Sequence, residues 1–325
     1  MADMKVIEHG EGGGPEVLRV GTRPVPQPGP GQVLVRVIAA GVNGPDLKQR
    51  AGSYPPPPGA SPLLGLECSG EVVGLGEGAT RWAVGDMICA LTNGGAYAEY
   101  VAIDEGHCTP IPEGVDPVDA GGLCETFFTV WSNVWHRHDV PDGKTLLIHG
   151  GGGGIGSTAV QLGVAFGLRV FTTAGSEAGR ALAADLGAER VIDYREEDFV
   201  EVVRAVGGAD IIVDFLGGDY VARNIKAANA DARIIQLAFD LGPKVAVNLM
   251  PLMLKRLTLT GATLRSRPTG FKAAVAAELS ARAWPLFAQG KLRTVTHKVF
   301  DFDQARDAHA MIEAKQHVGK VLLKL

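Results

Sequence analysis

Residues 145–162 read TLLIHGGGGGIGSTAVQL. An apolar run from Thr145 to Ile148 breaks into five glycines, Gly150 to Gly154, after which Ile155 and Gly156 open an apolar-periodic pattern. A single placement within the run satisfies G-x-G-x-x-G: Gly151, Gly153 and Gly156. The order is strand, tight turn, helix start, the context in which this motif signals a dinucleotide site. Glycine lets the backbone approach a pyrophosphate, and the helix start offers unpaired N–H groups at the positive end of its dipole. A flexible glycine linker would have polar flanks, whereas TLLIH and STAVQLGVAF are largely apolar.

The pattern continues on both sides of this turn. From about 145 to 263, short β runs (LLIH, RVFTTA, RVID, DIIVDFLG, ARIIQLAF) alternate with helical segments such as EAGRALAADLG and EEDFVEVVRAVG. Apolar strands separated by amphipathic helices are βαβ units of a parallel sheet. Residues 1 to about 123 differ: VLVRVIAAGVN, GEVVGLG, DMICALTN and AYAEYVAI are short runs broken by Gly and Pro, the style of an antiparallel β-rich domain. Beyond about 265 come a long helical stretch, a strand (HKVFDF), a short helix and a final strand, KVLLKL. These tail elements are expected to pack back onto the first domain, with the site in the cleft between the two domains.

Composition narrows the class. At 325 residues, two domains are the default. With 46% hydrophobic and 21% charged residues, the chain is an ordinary globular protein rather than a disordered one. The net charge is −5 and no basic run exceeds two residues, so nucleic acid is not an expected partner. There is no secretory h-region and no apolar stretch long enough to span a bilayer, so the expectation is a cytoplasmic, membrane-free protein. Cys68, Cys89, Cys108 and Cys124 stand apart with no C-x-x-C pair, which reads as buried free thiols. His136-x-His138 has no third ligand nearby and reads as solvated.

An NAD-preferring site places an acid about 20 residues past the glycines. Here the second strand runs into Thr172-Thr173-Ala174-Gly175-Ser176, with no carboxylate at its tip. Ser176 and Arg180, one helical turn on, suit the 2′-phosphate of NADPH; Glu177 next door counts against this unless it points elsewhere. The proline-rich SYPPPPGASP (53–62) is stiff, and reads either as a surface loop or as a rigid wall carrying Tyr54.

Eight segments, VNGPDLKQRAGSYPPPPGAS, LGLECSGEVVGLG, AYAEYV, ETFFTVWSNV, the glycine turn, VIDYREEDF, TLRSRP and HVGKVLLKL, run from residue 42 to the C-terminus. Together they resemble the zinc-independent quinone oxidoreductases of the medium-chain dehydrogenase/reductase superfamily, and within these the branch typified by the p53-inducible quinone oxidoreductase. The resemblance implies an α/β fold, with a Rossmann-type parallel-sheet cofactor domain (124–264) inserted in a β-rich GroES-like catalytic domain (1–123 with 265–325). Zinc enzymes of the superfamily carry Cys where this chain has Asn43, His-Glu where it has Leu66-Glu67, and Cys where it has Glu125. No metal is therefore expected.

The resemblance also implies roles. Asn43 and Tyr54 would face the nicotinamide and substrate, and Thr129 the nicotinamide end of the cofactor. Gly151, Gly153, Gly154, Ile155 and Gly156 would take the pyrophosphate. Ser176, Arg180 and Tyr194 would surround the 2′-phosphate, although the family's lysine is replaced by Gly179. Arg265, Arg267, Gly319 and Lys320 match segments that close over the cofactor. The expected activity is NADPH-dependent, metal-free hydride transfer to a quinone or electron-poor enone, with Asn43 and Tyr54 as donors to the developing oxyanion. An enoyl-thioester reductase and a non-enzymatic, crystallin-like or RNA-associated cofactor binder are the alternatives. A homodimer through the edge of the cofactor sheet is implied by the family.

Overall fold

Seven short strands form the first β-rich part of the chain: β1 (Asp3–Glu8), β2 (Arg19–Pro24), β3 (Gln32–Val42), β4 (Glu67–Leu75), β5 (Met87–Leu91), β6 (Tyr100–Asp104) and β7 (Cys108–Pro110). Period-2 burial explains them. In β3, Val33, Val35 and Val37 are buried while Arg36 is exposed, so one face meets the core and the other meets water. The strand β3 is the hub, pairing antiparallel with both β4 and β6. The β1–β2 pair stands as a separate ribbon.

The middle of the chain supplies β8 (Thr145–His149), β9 (Arg169–Thr173), β10 (Arg190–Ile192), β11 (Ala209–Asp214), β12 (Ala228–Gln236) and β13 (Thr258–Gly261). All five pairings among them are parallel, in the spatial order β10-β9-β8-β11-β12-β13. Renumbered within the sheet this is 3-2-1-4-5-6, the doubly wound dinucleotide-binding order, whose strand order reverses between β8 and β11. Every residue of β8 is buried, as expected for a central parallel strand covered on both faces. The crossovers include the helices Gly154–Ala165, Glu177–Asp185, Phe199–Ala205 and Tyr220–Ala227.

The last two strands, β14 (Thr296–Asp301) and β15 (Lys320–Lys324), return to the first sheet: β15 lies antiparallel on β3, and β14 parallel on β15. The structure, a computed structural model, describes residues 2–325 and divides into two units. One unit takes the chain up to Phe128 together with Leu264–Leu325; the other is Thr129–Thr263. The division falls inside the helix Cys124–Val134, whose first residue is the boundary that the resemblance implies. All four cysteines are buried and free. Among the described residues no helix is long and apolar enough to cross a membrane.

Candidate active site

In the second unit, the turn after β8 is built by its glycines. Gly150 has φ +71, a conformation that costs other residues strain. A Cβ on Gly156 would collide with the carbonyl oxygen of Gly150, so the helix can start this close to the strand only with glycine there. Gly153 is the N-cap of the helix Gly154–Ala165 in extended backbone, and a Cβ on it would meet nothing nearer than the Gly150 oxygen at 3.6 Å. The space beside Gly153 is therefore clear of side chains. The Ser157 N–H donates to Gly153 C=O at 2.8 Å, which leaves the N–H groups of Gly154, Ile155 and Gly156 without acceptors inside the helix. Such a cradle fits a pyrophosphate.

Beneath the turn lies a fully buried polar network. His149 Nδ1 is 3.2 Å from Thr173 Oγ1, and its Nε2 is 2.8 Å from Asn224 Oδ1; Asn224 Nδ2 in turn donates to Asp214 Oδ2 at 3.0 Å. Burial pushes the imidazole down from 6.5 to about 4. Asp214 accepts the backbone N–H groups of Leu216 and Gly217, so this chain of bonds ties β8 to the loop after β11 at the switch point.

The tip of β9 brings together the residues expected around the 2′-phosphate. Ser176 caps the helix Glu177–Asp185, accepting from Gly179 N–H at 3.1 Å. Tyr194 presses against Gly175, where a Cβ would run into its phenol. Arg180 is not free: its Nη1 is 2.6 Å from Asp193 Oδ2 and donates to Gly175 C=O at 2.9 Å. Asp193 sits one residue past β10, and no sequence signal connected it to Arg180. Thr129 is half-buried, with its carbonyl accepting from Asn133 Nδ2 at 2.8 Å.

The first unit holds a second cluster. The Lys320 ammonium lies 2.6 Å from Glu67 Oε1 and 2.5 Å from Asn43 Oδ1, and Asn43 Nδ2 donates to the same Glu67 oxygen at 2.8 Å. Glu67 is wholly buried at the start of β4, and its other oxygen accepts from Glu125 N–H at 2.8 Å. Two of the expected site residues, Asn43 and Lys320, meet in this cluster. Asn43 spends its amide on Glu67 and, at 3.4 Å, on Gly41 C=O, so it keeps no hydrogen for a substrate oxyanion. Lys320 turns inward to neutralise Glu67, because a buried carboxylate requires a partner. Gly319, with φ +71, passes so close to the Val295 carbonyl that a side chain there would collide with it.

Around this pair stand Asp46 and Lys272, which the sequence did not single out for chemistry, together with Glu125, Tyr54 and Arg265. Asp46 is fully buried, accepts from the N–H groups of Asn43 and Gly65, and is raised by burial to about 7. The half-buried Glu125 is raised to about 8, first by burial and then by the charge of Glu67. Tyr54 is half-buried with the Arg265 guanidinium 5.5 Å from its ring centre, and burial raises its phenol. Arg265, 7% exposed, is held by the Asn93 carbonyl at 2.7 and 3.0 Å, and is not the solvated charge that an exposed loop would carry. Lys272, lowered to about 8 by burial, bonds Asn93 Oδ1 at 2.6 Å and Arg265 C=O at 2.8 Å. Arg267, by contrast, is exposed, beside the Phe271 ring.

Residues 29–113 match the alcohol dehydrogenase GroES-like domain family, and residues 186–323 match a family described as zinc-binding dehydrogenase. The Lys320 ammonium bonds both Asn43 Oδ1 and Glu67 Oε1. The chain is 30% identical to the quinone oxidoreductase of Sus scrofa over 96% of its own length and 95% of the relative's. Among solved structures, it resembles a mycobacterial protein complexed with NADPH (29% identity, 99% and 100% of the two chains, TM-score 0.87). It also resembles the quinone oxidoreductase of Pseudomonas syringae (29%, 99% and 100%, TM-score 0.86).

Proposed function

The chain belongs to the quinone oxidoreductase family of the medium-chain dehydrogenase/reductase superfamily, and from that premise we propose that it is an NADPH-dependent reductase of quinones or related electron-poor enones. The observation that carries this reading is the side-chain-free glycine cradle at the start of the helix Gly154–Ala165. Gly151, Gly153, Gly154, Ile155 and Gly156 would hold the pyrophosphate, and Ser176, Arg180 and Tyr194 the adenosine 2′-phosphate. When bound, NADPH supplies the hydride.

The protein's own part is to bind, orient and manage a proton. Tyr54 is the donor left for a developing oxyanion, since the Asn43 amide is committed to Glu67. The Arg265 guanidinium beside the Tyr54 ring holds that side chain and favours the phenolate as charge shifts onto its oxygen. Glu125, raised to about 8, keeps a proton on its carboxyl at neutral pH and is the group in this cluster suited to deliver it. No metal enters the scheme, because the Lys320 ammonium holds Asn43 and Glu67. We also assign a homodimer through β13. Its outer edge is unpaired, and Leu249, Met250, Met253, Leu254 and Leu259 nearby are 44–66% exposed.

The test is NADPH oxidation in the presence of 1,4-benzoquinone or 9,10-phenanthrenequinone, with and without a chelator. Turnover with a quinone, unaffected by the chelator, is the expected result. Turnover of crotonyl thioesters with none of any quinone would assign the chain to enoyl-thioester reduction instead. Tight NADPH binding without any turnover would leave a cofactor-binding protein. Light scattering checks the dimer.

A further inference from the structure

The end of the cofactor sheet at β9 and β10 contains an ion pair that the glycine turn does not need. The register pairs Thr173 with Ile192, so the tips of the two strands are level, and the residues just beyond them face one small space. From the β9 side come Gly175, Ser176 and, one helical turn on, Arg180. From the β10 side come Asp193 and Tyr194. The Tyr194 phenol covers Gly175, and Arg180 Nη1 is bound both to Gly175 C=O and to Asp193 Oδ2. The pair is partly open to water, with Arg180 33% and Asp193 20% exposed. Ser176 Oγ already accepts from Gly179 N–H, so its own hydrogen remains to be donated.

We propose that the Arg180–Asp193 pair sets cofactor choice in this protein, making it accept NADH alongside NADPH with little discrimination. This rests on the reading of the glycine turn as an NADPH site. The physical reason is charge cancellation. A 2′-phosphate approaching Ser176 and Tyr194 meets a guanidinium whose charge is offset by a carboxylate 2.6 Å away, so the field it feels is the difference of two opposite terms. A 2′-hydroxyl, in contrast, finds in Asp193 the acid that an NAD site places at the neighbouring strand end. The tip of β9 lacks that acid, and β10 supplies it. Arg180 keeps its remaining N–H groups for the phosphate, and Asp193 keeps its remaining lone pairs for the hydroxyl, so each cofactor finds one partner and one opponent.

The competing account is that the pair only ties the helix Glu177–Asp185 to β10. Calorimetric or fluorescence titration of the whole protein with NADPH, NADH and 2′,5′-ADP separates the two, without recourse to turnover. In the wild type, the NADPH and NADH dissociation constants should lie within about tenfold of one another. Asp193→Asn should tighten NADPH and 2′,5′-ADP by about tenfold and leave NADH unchanged or weaker. Arg180→Ala should weaken NADPH and 2′,5′-ADP by about tenfold and spare NADH. Asp193→Ser replaces Asp193→Asn if thermal melting shows that the latter loses its fold. An NADPH to NADH ratio that does not move in the Asp193 variant, or that moves towards NADH, overturns the proposal while leaving the cofactor reading intact. A wild-type protein that binds neither nucleotide overturns both.

Discussion

The Lys320 ammonium and the Glu67 carboxylate meet at 2.6 Å inside the first unit, Lys320 at the start of β15 and Glu67 at the start of β4. The strand β3 lies between β4 and β15 in the sheet, and the long lysine side chain spans it to reach the acid. Glu67 has no exposed surface, and Lys320, Asn43 and the Glu125 N–H surround its oxygens. The burial of this pair sets the first prediction.

Replacing Lys320 by Met leaves an uncompensated buried carboxylate. The expected loss of stability is about 3–5 kcal/mol, whereas the double variant Lys320→Met with Glu67→Leu should recover most of it. Urea unfolding of the two variants measures this. A Lys320→Met protein as stable as the wild type would show that the pair contributes nothing to the fold.

The second expectation concerns proton delivery. Glu125 is protonated below about 8 and ionised above it, so a reaction that uses its proton slows as pH rises through that value. Glu125→Gln should lower kcat by about a hundredfold and abolish this alkaline limb. The measurement is the pH profile of kcat with a quinone acceptor. An unchanged limb in Glu125→Gln would assign the proton to water or to another group.

Two glycine substitutions separate binding from folding. Gly153→Ala meets only the Gly150 oxygen at 3.6 Å, with ordinary φ, and should fold as the wild type while its methyl blocks the cradle. NADPH affinity is expected to fall by about tenfold or more, with the melting temperature within a few degrees. Gly156→Ala, whose methyl would collide with the backbone at Gly150, should lose both affinity and stability. Isothermal titration and thermal melting of the pair decide the matter; equal affinities in Gly153→Ala and wild type would remove the pyrophosphate from this turn.

The buried imidazole beneath the turn makes the second unit sensitive to acid. His149 titrates near 4 when folded and near 6.5 otherwise. Between these values the unfolded chain takes up a proton that the folded one refuses, so stability falls as pH drops from about 6.5 to about 4, by roughly 3 kcal/mol at most. Asp46, raised to about 7, acts in the opposite sense across this whole window, since its folded form keeps a proton that the unfolded chain releases. The His149 contribution is therefore the difference between wild type and His149→Gln in urea midpoint from pH 7 to pH 4. Identical pH slopes for the two proteins would refute it.

Much of the architecture was legible in residues taken alone. The five-glycine run could be placed between a strand and a helix because both flanks carry their own periodicity, and the alternation of LLIH, RVFTTA and DIIVDFLG with helical segments announced a parallel sheet. Gly150 and Gly156 announced themselves because the conformations they serve exclude other residues. Less could be read where function depends on a partner. Asn43 looked like a free donor, and only its 2.8 Å bond to Glu67 shows its amide in use. Glu125 stood out only as the position where the resemblance places a zinc enzyme's Cys; its raised proton affinity comes from burial and from Glu67, far from it in the chain. The missing acid after the β9 strand pointed to NADPH, while the acid that matters came from the next strand as Asp193.

The sequence alone determined the strand–turn–helix unit and the two styles of domain, since each depends on local periodicity or backbone conformation. The tertiary structure alone decided which charges meet: Lys320 with Glu67, and Arg180 with Asp193. Pairing of that kind is set by strand register and sheet order, which bring distant residues level at an edge or in a core, and the strength of each pair is set by how much water the surrounding fold removes.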